Sequence, residues 1–255
     1  TLAGEGLQHQ DGHNLITAAS IPNCVSYDPT FAYELAVIVH DGMRRMYVGQ
    51  ENIFFYITAL NENYTHPGMP PGAAEGIVKG MYRFRKGGRR KLRVQLLGSG
   101  AILREVIAAA DLLKEDFGVD SDIWSVTSFN ELKREAQSID RHNLFHPESE
   151  PRESYVAQCF HGVSGPFIAA TDYMKNYADQ IRAYVPGRYA VLGTDGFGRS
   201  DTRKSLRRHF EVDRYHVAYA ALKALADDGA IELAKVGQAQ DRYGIDPEKI
   251  DPVRA

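Results

Sequence analysis

The sequence predicts an α/β protein in two parts: the end of one α/β domain, then a second domain with a mostly parallel sheet covered by helices. Three observations predict it. From Leu92 onward, short β-branched and aromatic runs alternate with helical stripes, the pattern of parallel strands joined by helices. Before that, residues 61–91 are broken by Pro67, Pro70, Pro71, Gly68 and Gly72, and so long an irregular stretch reads as an interdomain connection. Finally, 255 residues with 44% hydrophobic and 25% charged content are enough to bury one large core or two modest ones.

Residues 1–60 read as the end of the first domain. A polar loop at 1–14 leads to an apolar run at 21–25. Asp28 and Pro29 suit a helix start, because Asp accepts orphan N–H groups and Pro fits the first helical position. Phe31, Leu35, Ile38 and Val39 carry helical spacing, Asp41 and Gly42 are expected to end or kink that helix, and 52–58 reads as a buried strand. In the connection, 61–91, a short helix is expected over 73–79, and the basic run 83–93 is expected as a solvated linker or hairpin tip.

The second domain, 92–255, has expected strands at 92–97, 122–127, 167–171 and 189–193. Ile102, Val106, Ala109 and Leu113 mark a helix that stops at Gly118, and Asn130 is expected to cap a helix over 131–141. Tyr173, Tyr177, Ile181 and Tyr184 form another helical stripe; helices near 203–209 and 213–227 complete the pattern.

Composition narrows the functions. A net charge of −3 argues neither for a nucleic-acid binder nor for an acidic tail, and no run approaches the roughly 20 apolar residues of a membrane span. Cys24 and Cys159 are far apart and lack ligand-like spacing, which fits a reducing cytoplasm. The opening residues, without Met, are read as an internal cut in a longer protein.

Candidate chemistry is sparse. Gly98-Ser99-Gly100 sits where a phosphate-binding turn would, but Leu103 occupies the third glycine position, so it is read as a tight turn. The spacing of His142 and His146 suits a helical metal pair, yet no Glu follows His142 and Pro147 ends the helix. The loop 194–201 follows the last strand, where α/β sheets gather ligands; its Asp195, Phe197 and Arg199 could serve a site or a subunit contact. The densest segment is the opening loop. Glu5, His9, Asp11 and His13 lie within nine residues, on a chain flexed by Gly4, Gly6 and Gly12. Imidazoles beside carboxylates can move protons on a bound substrate, and a plain polar surface loop has the same composition. Both readings stand on the residues alone.

Longer motifs carry a resemblance. GEGLQHQDGH, IPNCVSYDPTFAYELAVIVHDGMRRMY, ITALNENY, VQLLGSGAILREV, DIWSVTSFNEL, ATDYMK, VLGTDGFGRSD and HFEVD occur in that order. Together they resemble the homodimeric pyruvate dehydrogenase E1 components of bacteria, collinearly and over essentially the whole chain. The resemblance implies that residues 1–60 end a pyrimidine-binding domain and that 92–255 form a transketolase-type C-terminal domain. It implies an enzyme that uses thiamine diphosphate and Mg²⁺ to decarboxylate pyruvate and reductively acetylate the lipoyl group of an E2 partner, as a cytoplasmic homodimer. His9 matches an active-site histidine; Glu5, Asp11 and His13 are weaker candidates beside the substrate. Where relatives carry a second His after Asp-Gly, this chain has Leu15.

The diphosphate–metal motif of that superfamily begins Gly-Asp-Gly, which does not occur here. No metal ligand is therefore assigned, and this chain alone is expected to bind neither cofactor nor metal and to be inactive. The rival readings are a non-catalytic scaffold or regulatory module, and a related enzyme for another 2-oxo acid or a ketose phosphate.

Overall fold

The computed structural model describes residues 1–3 and 9–255. The first part contains α1 (Asn14–Ala19), β1 (Cys24–Tyr27), α2 (Ala32–Met43) and β2 (Phe54–Ile57), with β1 and β2 paired in parallel. Then follow α3 (Ala73–Lys79), β3 (Met81–Arg85), β4 (Arg93–Gly98), α4 (Leu103–Phe117), β5 (Asp120–Val126) and α5 (Phe129–Phe145). The remainder is α6 (Tyr155–Cys159), β6 (Phe167–Ala170), α7 (Lys175–Asp179), β7 (Tyr189–Leu192), α8 (Arg203–His209), α9 (Arg214–Asp227) and α10 (Leu233–Tyr243).

Strands β3 to β7 form one sheet in the order β3-β5-β4-β6-β7, parallel except for the antiparallel edge strand β3. The chain leaves β4 to one side for β5 and then crosses to the other for β6 and β7. The β4–β6 boundary is therefore the topological switch point, where strand ends open a crevice. The inner strands β4, β5 and β6 are buried on both faces, as parallel strands are. Val94, Leu96, Ile123 and Ile168 face α4 and α9, whereas Leu97, Trp124, Val126 and Phe167 face the side of α5 and α7. A third core cluster, including Tyr27, Ile38, Ile77 and Tyr82, ties β1 and α2 to α3 and β3. Among the described residues, no helix is long and apolar enough to cross a membrane.

Local chemistry revises several expectations. Asp28 does not cap α2. Glu34 does so from inside the helix, accepting the Thr30 and Phe31 N–H groups at 2.5 and 3.0 Å. Asp41 and Gly42 do not end it either, since the Asp41 carboxylate pairs with Arg44 and the helix runs on through a π-helical turn at Arg44–Val48. Strand β2 is shorter than expected and buried on one face only: Phe55 stacks on Tyr27, while Phe54 and Tyr56 are exposed. The basic run begins as strand rather than linker, because Met81 and Tyr82 alternate into two cores and pair with β5. The glycines after it are pinned by buried carboxylates: Gly87 N–H donates to Asp122, and a side chain on Gly88 would collide with Asp120. Helix α5 is capped by Ser128, whose hydroxyl accepts Glu131 N–H at 3.0 Å, leaving Asn130 buried and bonded to the Leu15 carbonyl and the Ser26 hydroxyl. The tyrosine stripe is split between the short α7 and a 3₁₀ turn at Arg182–Tyr184. Helix α10 is an amphipathic addition that the sequence reading does not include.

Glu34 is fully buried and also accepts the Tyr82 and Ser125 hydroxyls at 2.7 and 2.6 Å, so one carboxyl joins α2, β3 and β5. Glu34→Ala strands four buried donors and should cost about 3 kcal/mol or more. A urea unfolding curve checks this, and an unmoved midpoint would mean that the network holds nothing together.

Candidate functional site

A cleft of about 640 Å³ lies beyond the carboxyl ends of the strands. Its walls come from the loop before α1, the segment after β2, the β6 end at Asp172 and Tyr173, and the loop after β7. These loops meet because their glycines allow it. A side chain on Gly198 would place its Cβ 2.2 Å from the Gln10 Cβ, and one on Gly196 (φ 101°) would meet the Pro252 carbonyl at 2.4 Å. The Gly12 carbonyl accepts Met174 N–H at 3.0 Å, and the Thr194 hydroxyl donates to the Asp172 carbonyl at 2.9 Å. The opening loop and the loop 194–201 are thus locked together, with an isolated bridge between Ala3 and Asp201.

This arrangement gathers most of the sequence candidates. His9, Asp11, His13, Phe197 and Arg199 all line the cleft. His9 is exposed, and Phe197 is 79% exposed. Asp11 accepts the His13 backbone N–H at 2.8 Å and lies 3.5 Å from its ring Nδ1, so the two side chains sit together, exposed, at the start of α1. Glu5 lies outside the described residues. Asp195 points away from the cleft: its Oδ1 accepts Lys175 N–H at 2.9 Å, which serves the start of α7. Leu15 is fully buried in the core beside α5 and α7, so the position where the resemblance places a second imidazole faces the interior.

The structure adds polar groups behind the cleft floor. Thr58, Thr171 and Asp172 are not among the sequence candidates, yet each directly follows a strand or the residue after one, the location that marks ligand sites in such sheets. Asp172 Oδ2 accepts the Thr1 hydroxyl at 3.2 Å. Asp28 is buried, accepts the Thr58 hydroxyl at 2.7 Å, and is pushed up to about 7. Burial is the main cause, with Asp172 and Glu34 adding to it and the Thr58 and Ser99 hydroxyls opposing it. The His209 imidazole is held below its ordinary value by burial and by the positive Lys249 and Arg199.

Other motifs are structural. A side chain on Gly98 would strike Leu103, and one on Gly100 (φ 50°) would strike Asp28, so the Gly-Ser-Gly turn serves packing. His142 and His146 stack with ring centres 4.1 Å apart at the far end of α5. Among the described residues, no three His, Cys, Asp or Glu side chains are grouped to hold a metal ion.

With this geometry in place, sequence comparison is decisive for the family. A family profile described as the transketolase-like TK C-terminal domain matches residues 80–213, just over half of the chain. The chain belongs to that family. A second profile, the pyruvate dehydrogenase E1 component middle domain, matches residues 1–67. The pyruvate dehydrogenase E1 component of Cupriavidus necator is 61% identical over 99% of this chain, and that of Pseudomonas aeruginosa is 58% identical over 99%. The chain spans only 28% and 29% of those relatives' lengths. Among solved structures, the transketolase of Campylobacter jejuni superposes with a TM-score of 0.61 at 14% identity, covering 87% of this chain and 29% of that one; it shares the fold.

The contact between the two cleft loops is directly testable. Gly198→Ala should force the opening loop away from the loop after β7 and cost about 1–3 kcal/mol. The expected sign is an earlier urea midpoint, and an unchanged midpoint would show that the loops do not meet.

Proposed function

We propose that this chain is the C-terminal part of the E1 component of a pyruvate dehydrogenase complex, which decarboxylates pyruvate with thiamine diphosphate and reductively acetylates the lipoyl group of E2. The observation that supports it best is 61% identity over 99% of the chain to a pyruvate dehydrogenase E1 component, coupled with a cleft whose wall carries His9. The far lower identity to transketolase, 14%, favours a 2-oxo acid over a ketose phosphate. In this reading, residues 1–60 end a pyrimidine-binding domain, 61–91 connect, and 92–255 form the transketolase-type domain. The protein works as a cytoplasmic homodimer.

His9 is assigned the hydrogen bond to the substrate and the transfer of a proton at its oxygen, since an imidazole exposed in the cleft can both donate and accept at its ring nitrogens. Asp11 and His13 form the adjacent carboxylate–imidazole pair. Phe197 covers the substrate's apolar side, and Arg199 supplies positive charge to its carboxylate. Glu5 is assigned to the same site.

A magnesium diphosphate does not fit the described residues. It needs several hard oxygen ligands on one ion, whereas among the described residues no three His, Cys, Asp or Glu side chains are grouped. Those groups are assigned to residues outside this chain.

In the full-length polypeptide, His9→Ala should lower kcat for pyruvate about 10²-fold or more, with the melting temperature unchanged. Steady-state turnover checks this, and wild-type kcat in the variant would remove His9 from the mechanism. The 255-residue chain alone should show no turnover with added thiamine diphosphate and Mg²⁺; measurable turnover would contradict that assignment.

A further inference from the structure

Behind the cleft floor, the carboxyl ends of four parallel strands converge. Asp28 follows β1, Thr58 follows β2, Ser99 follows β4, and Thr171 with Asp172 follows β6. Asp28 is 2% exposed. Its Oδ1 accepts the Thr58 hydroxyl at 2.7 Å, and its Oδ2 makes no hydrogen bond to a described residue, the nearby Ser99 hydroxyl being turned to Thr171 at 2.9 Å. Room for this carboxyl exists because residue 100 is glycine, whose missing Cβ would lie 2.6 Å from both carboxyl oxygens.

The groups around Asp28 are all acidic or neutral. Asp172 faces it from the β6 end and Glu34 from α2, and the phenols of Tyr64, Tyr173 and Tyr177 feel its charge from the connection, the segment after β6, and α7. Among the described residues no cation pairs with it. A buried carboxylate without a counter-charge is expensive, and retaining a proton is the simplest relief. Burial and these neighbours together hold its ionisation near neutrality.

Thr58 has one side toward Asp28 and is itself part of the cleft wall. We propose that Asp28 is a buried proton store for the cleft, carried as the neutral carboxylic acid and exchanged through the Thr58 hydroxyl. In the neutral acid the proton sits on Oδ1 and the 2.7 Å contact runs from Asp28 to Thr58; in the transfer that O–H bond breaks as Thr58 Oγ1 takes the proton. Thr58 releases its own hydroxyl proton in the same step to a base in the cleft, either a water, the His9 imidazole or an oxyanion of bound substrate. Asp28 is left as carboxylate and Thr58 is unchanged in charge. The cleft thereby has a proton source behind its floor as well as imidazoles on its rim.

This extends the reading of the cleft as a substrate site, but its test needs no turnover, so failure of one is distinguishable from failure of the other. The experiment is infrared spectroscopy of the full-length protein with ¹³C-labelled aspartate, following the carboxylic acid C=O stretch against pH. The wild type should show an acid band at neutral pH that fades as pH rises and is absent in Asp28→Asn. Thr58→Val removes a bond that favours the charged form and should move the midpoint up; Asp172→Asn removes a like charge and should move it down, each by about one pH unit. These opposite shifts identify Asp28 even if Asp28→Asn does not fold. No acid band at neutral pH, or a band whose midpoint both variants leave in place, would overturn the proposal.

Discussion

Asp28 stands at the junction between the two sheets, beside the Ser26 contacts to Ser128 and Asn130. Asp28 sends its backbone N–H to the Thr127 carbonyl at 2.7 Å, takes the Gly100 N–H on its own carbonyl at 3.1 Å, and accepts the Thr58 hydroxyl on its side chain. Three elements of the chain therefore end at one point. Among the described residues β1 and β2 pair with each other and not with the five-stranded sheet. Their attachment to the five-stranded sheet through Asp28, with Glu34 binding α2 to β3 and β5 beside it, sets where all the strand ends lie.

The cleft inherits its form from that junction. Strand ends from both sheets open onto the same side, and the loops that leave them are pressed together by glycines at 12, 196 and 198. His9, Asp11 and His13 are placed by the opening loop, and Phe197 and Arg199 are brought against them by the loop after β7. Residues nearly two hundred positions apart thus line one cavity. The rim is exposed and titratable, whereas the floor is buried and acidic, and Thr58 lies between the two.

Much of this was legible in the sequence where local rules decide. The strand–helix alternation after Leu92 is correct because parallel strands are short, apolar and bounded by glycine: Gly118 takes a left-handed conformation to end α4, and α3 spans the expected 73–79. Rules failed where tertiary contacts overrode them. Asp28, Asn130 and Asp195 all resemble surface turn or cap residues, but the first two are buried and bonded across the junction and the third braces α7. The charges of the run 83–93 concealed a strand because Met81 and Tyr82 supply its buried face. The cleft loops were picked out by their polar density and by motif resemblance, but their mutual contact depends on glycine packing that no local pattern encodes. The site has a legible rim and an illegible floor: Thr58 and Thr171 are ordinary residues until the strands converge.

The central claim is that the cleft at these strand ends receives the substrate, with His9 against it. The most direct measurement is a crystal structure of the full-length polypeptide with thiamine diphosphate, Mg²⁺ and a phosphonate analogue of pyruvate. The account predicts the analogue in the cleft with an oxygen about 3 Å from a His9 ring nitrogen. An analogue bound elsewhere, with His9 turned to solvent, would contradict it.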